Sequence, residues 1–264
     1  MTRYHLAAIT GASSGIGEAL CFLLADKGCN LLISGRDRER LEIVAKRVRS
    51  KVSVEIVPAD LGEKDQRERW VKALYHHAPD LVINNAGFGL LGDALDHETQ
   101  AQVEILRIDA EAVLELTLEA ARSLKGTSCS GTIVNVASAA AFQPFPRFAV
   151  YAAAKAFVKN FSEAFHEEMK PYGIKVLVAC PGWVDTPFRH RAAQGISPTK
   201  PSKYSMTAEY AAEQIWWQIT KGKVVHTFDW RYRLAVWFGH YLLPKAVVSK
   251  ILKSRIKHRL RLKV

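Results

Sequence analysis

The sequence predicts an α/β chain built as a three-layer, doubly wound parallel sheet, and two observations predict it. Short apolar runs alternate with helix-patterned stretches over most of the 264 residues, as parallel strands joined by crossover helices require. The first run stops at a glycine-rich turn that leads straight into a helix, and later runs also stop at small or polar residues. In such sheets ligands bind at that carboxyl edge. The length supports a sizeable core, and no repeat or low-complexity linker interrupts it.

Residues 6–10 (Leu-Ala-Ala-Ile-Thr) read as the first strand. From Ile16 to Lys27 apolar positions recur at helical spacing, and Gly28 supplies a stop. Asn30–Ser34 is the second strand, followed by a charged helix from about Arg38 to Arg49. Val52–Pro58 is the third, followed by Asp60-Leu61 and a helix through Trp70 and Leu74. Asp80–Ile83 runs into Asn84-Asn85-Ala86-Gly87, and one long helix spans about Gln100 to Ser123. Strand Gly131–Val136 precedes a helix from Tyr151 to Lys170, and strand Ile174–Ala179 meets Cys180-Pro181-Gly182. A polar loop at about 186–206 leads to a helix at Ala208–Lys221. The pattern predicts one domain over 1–221 and a C-terminal extension over 222–264.

Composition excludes other classes. With 48% hydrophobic and 24% charged residues, 16 Gly and 10 Pro, the chain is neither disordered, collagen-like nor a coiled coil. Cys21, Cys29, Cys129 and Cys180 show no C-x-x-C spacing, so they read as buried thiols in a reducing compartment rather than a disulfide or metal framework. The start leaves no room for a secretory leader, and no run approaches the roughly 18 apolar residues of a spanning helix. The expected location is the cytoplasm. The net charge of +11 is uneven: residues 1–220 carry 25 Lys+Arg and 25 Asp+Glu, whereas 221–264 carry 12 Lys+Arg against Asp229 alone. The neutral body argues against nucleic acid as its ligand, and the basic tail addresses a second partner.

Gly11, Ser13, Ser14, Gly15, Ile16 and Gly17 form the first turn, where glycines let backbone N–H groups approach a pyrophosphate at a helix N-terminus. An ordinary strand–helix turn is the plainer reading of these residues alone. The second strand ends at Arg36, in the place where an NAD-binding chain usually carries a carboxylate; a guanidinium fits the 2′-phosphate of NADP(H). The alternative is a solvated Arg36 with Asp37 on the ribose. Asp60 and Leu61 end the third strand and Asn85, Ala86 and Gly87 follow the fourth, where a flat ring and ribose find room.

Ser138 follows the fifth strand, and Tyr151 and Lys155, four residues apart on a helix, share a face. A phenol, with an ordinary pKa of ~10, becomes an acid–base group near neutrality if an ammonium and an oxidised nicotinamide favour its phenolate. Ser138 would bond the substrate oxygen, and Lys155 would also reach ribose hydroxyls.

Together, residues 10–17, Asp60, Asn84–Gly87, Ser138, Tyr151-x-x-x-Lys155 and Pro181-Gly182-x-Val184-x-Thr186 resemble the short-chain dehydrogenase/reductase family over roughly residues 4–220. The resemblance implies a Rossmann-type sheet of about seven strands and NAD(P)-linked interconversion of a hydroxyl and a carbonyl. It implies Tyr151 as acid/base, Ser138 as substrate-orienting, Lys155 as cofactor-holding, and Pro181, Gly182, Val184 and Thr186 around the carboxamide. It further implies a homodimer or homotetramer paired through the long helices near 100–123 and 151–170. One position departs from the family, which usually has Asn where this chain has Asp109. An anion there would pair with Lys155 and weaken the positive field at Tyr151, retuning the proton relay, unless Asp109 merely lies on a helix surface.

Phe142, Pro144, Phe145, Phe148, Trp183 and Phe188 surround these motifs and suggest an apolar, even lipid-like substrate, although each suits a core equally well. The tail repeats apolar residues at Trp230, Leu234, Trp237-Phe238 and Tyr241-Leu242 and stops at Pro244; a second, basic amphipathic segment places Val247-Val248, Ile251-Leu252, Ile256 and Leu260 along one side, with Lys250, Lys253, Lys257 and Arg261 elsewhere. Such a segment either lies peripherally on an anionic, inner-face membrane surface or closes the cleft or a subunit contact. The expectation is an NADPH-preferring carbonyl reductase, with a nucleotide-binding protein of weak turnover, acting as a sensor or adaptor, as the alternative.

Overall fold

The computed structural model describes residues 4–127, 130–192, 205–242 and 244–260. Cys129, most of the predicted polar loop (193–204) and Arg261 lie outside the described residues, as do the side chains of Ile256, Lys257 and Leu260.

Seven parallel strands lie in the order β3-β2-β1-β4-β5-β6-β7: β1 Leu6–Thr10, β2 Asn30–Ser34, β3 Val54–Ile56, β4 Leu81–Asn84, β5 Thr132–Val136, β6 Lys175–Cys180 and β7 Val225–Thr227. Register explains why the central runs are apolar throughout rather than alternating. Ile33, Ile9, Ile83, Val134 and Leu177 align across the sheet and point to one face; Leu32, Ala8, Val82, Ile133 and Val176 align one residue earlier and point to the other. Both rows are buried, because helices cover both faces. α1 (Gly15–Asp26), α2 (Arg38–Val48) and α8 (Ala208–Lys221) pack on the first; α3 (Lys64–His77), α5 (Ala112–Gly126) and α6 (Ala149–Met169) on the second.

Three differences from the sequence reading bear on function. The long helix predicted over 100–123 is interrupted: α4 (Thr99–Leu106) passes into α5 through a π-helical turn at Arg107–Glu111, which contains Asp109. The predicted loop after β6 holds the short helix α7 (Pro187–Ala192). The sheet also takes its last strand from beyond residue 221, since Val225–Thr227 pairs with Val178–Cys180, and α9 (Trp230–Tyr241) and α10 (Lys245–Leu260) follow it. In α10 the apolar residues divide between two faces rather than one: Val248 is buried and Leu252 half-buried, whereas Val247 and Ile251 are exposed. Among the described residues no helix is long and apolar enough to cross a membrane.

Candidate cofactor and catalytic site

A cleft of about 1210 Å³ runs along the carboxyl edge of the sheet, where β1 and β4 part to send the chain in opposite directions. That volume exceeds the ~300–1,000 Å³ of a drug-sized pocket, so it has room for a dinucleotide and a second small molecule.

At one end, Gly11, Ser13, Ser14, Gly15 and Ile16 line the cleft. Ser14 is the N-cap residue of α1 but makes no side-chain cap bond, so the first-turn N–H groups face the cleft without a capping oxygen. That suits a pyrophosphate. Gly15 adopts φ +61°, and a Cβ there would sit 3.0 Å from the Thr186 side chain, so the loop after β6 closes directly on the glycine turn. Gly17 does not line the cleft. A Cβ on it would lie 2.2 Å from the Gly11 carbonyl oxygen, which makes it the packing residue beneath the turn. Asn85 reinforces the same turn by donating to the Thr10 carbonyl at 2.9 Å, while the N–H groups of Asn85 and Ala86 donate to Thr10 Oγ1. Asn84 belongs to the core instead, bonded to Thr117 and Asn135.

Arg36 and Asp60 face the cleft together, 3.8 Å apart, and Asp60 also accepts the Gly62 N–H. Leu61 lies alongside. Asp37, the alternative ribose ligand, is the N-cap of α2: it accepts the Arg40 N–H at 3.0 Å and pairs with the Arg40 guanidinium at 3.3 Å. Arg40 and Arg191 also line this end, and neither was singled out in the sequence. The Arg191 guanidinium is held below its usual range by burial and by the charges of Arg36 and Arg40, so three cations converge there. Only tertiary proximity joins them, since Arg191 follows 155 residues after Arg36.

Beyond the turn, Ser138, Tyr151, Lys155, Gly87, Pro181, Gly182 and Val184 line the cleft, while Asn85, Ala86 and Thr186 line it where they touch the glycine turn. Ser138 caps a short turn, its Oγ accepting the Ala140 N–H at 3.1 Å, and it also hydrogen-bonds Tyr151. Lys155 Nζ lies 5.7 Å from the Tyr151 ring centroid and donates to the Val136 carbonyl at 3.0 Å. Behind Lys155, and not lining the cleft, stands Asp109. It is fully buried, which overturns the helix-surface reading. Its Oδ1 accepts the Phe88 N–H at 2.9 Å, and its Oδ2 faces Lys155 Nζ at 3.4 Å, an ion pair without well-formed hydrogen-bond geometry. Gly87 allows this approach, because a Cβ there would meet Asp109 Oδ1 at 2.8 Å and Lys155 Nζ at 3.2 Å.

The electrostatics of the chain alone set where the phenol starts before a nucleotide is bound. In the chain alone, burial first and the Asp109 charge second hold the Tyr151 phenol above its usual range, with the Ser138 bond pulling only partly the other way. Burial likewise raises the Asp109 carboxyl, against the opposing pull of Lys155. At neutral pH the phenol therefore carries its proton.

The Tyr151 end of the cleft is aromatic. Phe148 stacks on Tyr151 with ring centroids 4.1 Å apart, Phe188 lies 5.7 Å from it, and Phe145, Phe88 and Trp183 complete the wall. Phe142 and Pro144 fall outside the lining; Phe142 packs on the cluster of Val113, Val158 and Val178. The C-terminal helices supply the rest of the wall through Arg231, Tyr232, Val236 and Leu252. Tyr232 accepts the Trp183 N–H at 3.2 Å and lies so close to Gly182 that a Cβ there would be 2.5 Å away. The sequence offered closure of the cleft as one role for the tail and placed Leu252 on its apolar side, but it did not single out Arg231, Tyr232 or Val236. Cys180 is buried behind the site, its thiol pushed up to about 12 by burial.

A family described as short chain dehydrogenase matches residues 5–196. An uncharacterized oxidoreductase of Staphylococcus aureus (strain USA300) is 30% identical over 223 residues, covering 84% of this chain and 93% of its own. Among solved structures, a short-chain dehydrogenase from Sphingobium yanoikuyae in complex with NADPH aligns with TM-score 0.79 at 26% identity, covering 98% of this chain and 96% of that one. An alcohol dehydrogenase from the archaeon Thermococcus sibiricus, complexed with 5-hydroxy-NADP, aligns with TM-score 0.75 at 25% identity, covering 86% and 97%.

Proposed function

The chain belongs to the short-chain dehydrogenase family of oxidoreductases, and from that premise we propose that it uses NADP(H) to interconvert a carbonyl and a secondary alcohol on an apolar substrate. The observation that carries the reading is Ser138, Tyr151 and Lys155 lining the same cleft as the uncapped glycine turn.

The nicotinamide, when bound, supplies or takes the hydride. Every other task falls to this chain. First-turn N–H groups of α1 hold the pyrophosphate, and Arg36, with Arg40 and Arg191 beside it, attracts the ribose phosphate that distinguishes NADP from NAD. The NADPH and 5-hydroxy-NADP of the two solved relatives support that preference. Ser138 Oγ holds the substrate oxygen, and Tyr151 delivers the phenolic proton to it as the carbonyl becomes an alkoxide. Lys155, fixed by the Val136 carbonyl and Asp109 with its Nζ 5.7 Å from the Tyr151 ring centroid, would offer its ammonium to the ribose and, with nucleotide bound, to the phenol. Phe88, Phe145, Phe148 and Phe188 exclude water from the reacting carbon and favour an apolar ketone or aldehyde.

NADPH oxidation across a panel of apolar ketones, with Tyr151→Phe as control, tests this. Turnover should fall about 10²-fold or more in the variant while NADPH still raises its melting temperature. Equal turnover in the two proteins would defeat the assignment. The Lys155–Asp109 pair favours one other reading, a nucleotide-binding protein with little turnover, for which the panel would show binding without oxidation. We also infer pairing of two copies through α5 and α6, supported by the exposed Phe157 on α6; sedimentation at the monomer mass would refute it.

A further inference from the structure

The last two helices have two working faces. Inwardly, Tyr232 and Val236 of α9 and Leu252 of α10 wall the cleft. Outwardly, Trp230, Leu234, Trp237 and Phe238 fall on one side of α9, and Val247 and Ile251 on one side of α10, each between 42% and 62% exposed. α9 and α10 pack against each other, with Gly239 of α9 close to Val248 of α10, so the two apolar stripes belong to one unit. Arg233, Lys250 and Lys253 are exposed around them, and the single acid of residues 221–264, Asp229, is engaged by Arg231.

Large aromatic and aliphatic side chains left in water beside clustered cations call for a surface that is apolar within and anionic at its boundary. We propose that the outer face of α9 and α10 docks on an anionic lipid bilayer, so that the helices walling the substrate cleft also touch the membrane. A second copy of the chain suits this face poorly, because two such faces would bring like charges together. Nucleic acid would satisfy the cations but leave the indoles and aliphatic side chains unmatched. An apolar substrate dissolved in the bilayer then reaches the cleft past this one pair of helices. That delivery rests on the reductase reading, whereas the docking does not.

Co-sedimentation of the full chain with vesicles is the test, using phosphatidylcholine alone and phosphatidylcholine mixed with phosphatidylglycerol. The chain should pellet with the anionic vesicles at low salt and not with the neutral ones. At about 0.5 M salt, where the screening length is below about 5 Å, most of it should be released. Lys250→Glu with Lys253→Glu, and separately Trp237→Ser with Ile251→Ser, should each weaken partitioning on the order of tenfold or more. Thermal melts and NADPH binding of both variants should match the parent, which establishes that they fold. A parent chain that stays in solution with anionic vesicles overturns the proposal, as does either folded variant that pellets undiminished. So does a dimer that dissociates in the Trp237→Ser, Ile251→Ser protein, since the face would then join two copies. Vesicle binding without ketone turnover would leave the docking standing and remove only the delivery.

Discussion

Replacing Asp109 by Asn takes one negative charge from a fully buried position behind Lys155. The carboxylate offers two oxygens to two donors: Oδ1 to the Phe88 N–H at 2.9 Å and Oδ2 to Lys155 Nζ at 3.4 Å. An amide has one acceptor oxygen, so in either orientation its NH₂ opposes an N–H or an ammonium. Losing one buried partner costs about 1–3 kcal/mol of stability. The charge has a second effect, because Asp109 stands next after burial among the causes that raise the Tyr151 phenol. Removing that anion takes away the largest cause of the rise after burial. The variant phenol is therefore the stronger acid. Alcohol oxidation, which begins from phenolate, should rise at lower pH than in the parent. Ketone reduction, which begins from the neutral phenol, should keep its rate or gain at neutral pH. Initial rates in both directions from neutral to alkaline pH, with thermal melts alongside, measure this. Superimposable oxidation profiles would refute the charge argument, and a reduction rate lowered about 10²-fold would show that the carboxylate itself is needed for turnover.

Three further substitutions probe separate parts of the fold. Arg36→Ala should raise KM for NADPH about tenfold or more while leaving NADH nearly unchanged, as steady-state kinetics with both nucleotides would read; equal changes would mean that Arg36 does not sense the phosphate. Gly17→Ala places a methyl 2.2 Å from the Gly11 carbonyl oxygen, so the turn must shift; NADPH should lose its effect on the melting temperature, with a cost of about 1–3 kcal/mol to the protein alone. His226 is buried against Gln214 and its imidazole is lowered to about 4, by burial first and by Lys223 and Arg233 next. The unfolded chain therefore binds a proton that the folded chain refuses between about 6.5 and about 4. Stability should fall as pH drops through that window, and His226→Gln should flatten the slope in denaturant titrations.

Much of this was legible in the sequence because its signals are local. Strand β2 and the cleft-lining turn residues 11, 13–16 could be located from apolar runs and glycines, since neighbouring residues decide both. The π-helical turn was missed because a helix-period reading tolerates one extra residue. Its trace is nonetheless present: buried pairs Ile108-Asp109, Ala112-Val113, Leu116-Thr117 and Ala120-Ala121 repeat every four residues, whereas an α-helix repeats every ~3.6. Only the first of these steps crosses the wider turn, which takes up the ~40° that four residues overrun a turn of α-helix; the later pairs lie in α5 itself. Strand β7 has only three residues and no alternation, so nothing local marks it; its pairing with β6 defines it. Arg191 and Tyr232 reach the cleft only through tertiary packing, which neither composition nor spacing encodes.

The same packing bears on the direction of the proposed reaction. Tyr151 is buried and stacked on Phe148, and the Asp109 carboxylate that pairs with Lys155 also bears on it, so burial and that charge both disfavour phenolate. A group stored in its acid form at neutral pH is ready to protonate an alkoxide, the species a carbonyl becomes on accepting a hydride. The opposite direction must first strip that proton before an alcohol can be ionised, and the buried site resists it until the solution is alkaline. Ketone reduction should therefore be nearly independent of pH around neutrality, and alcohol oxidation should climb with pH throughout the accessible range. Rate profiles for one ketone–alcohol pair, taken in both directions, would decide this, and an oxidation rate already level at neutral pH would mean that bound nucleotide overrides the burial.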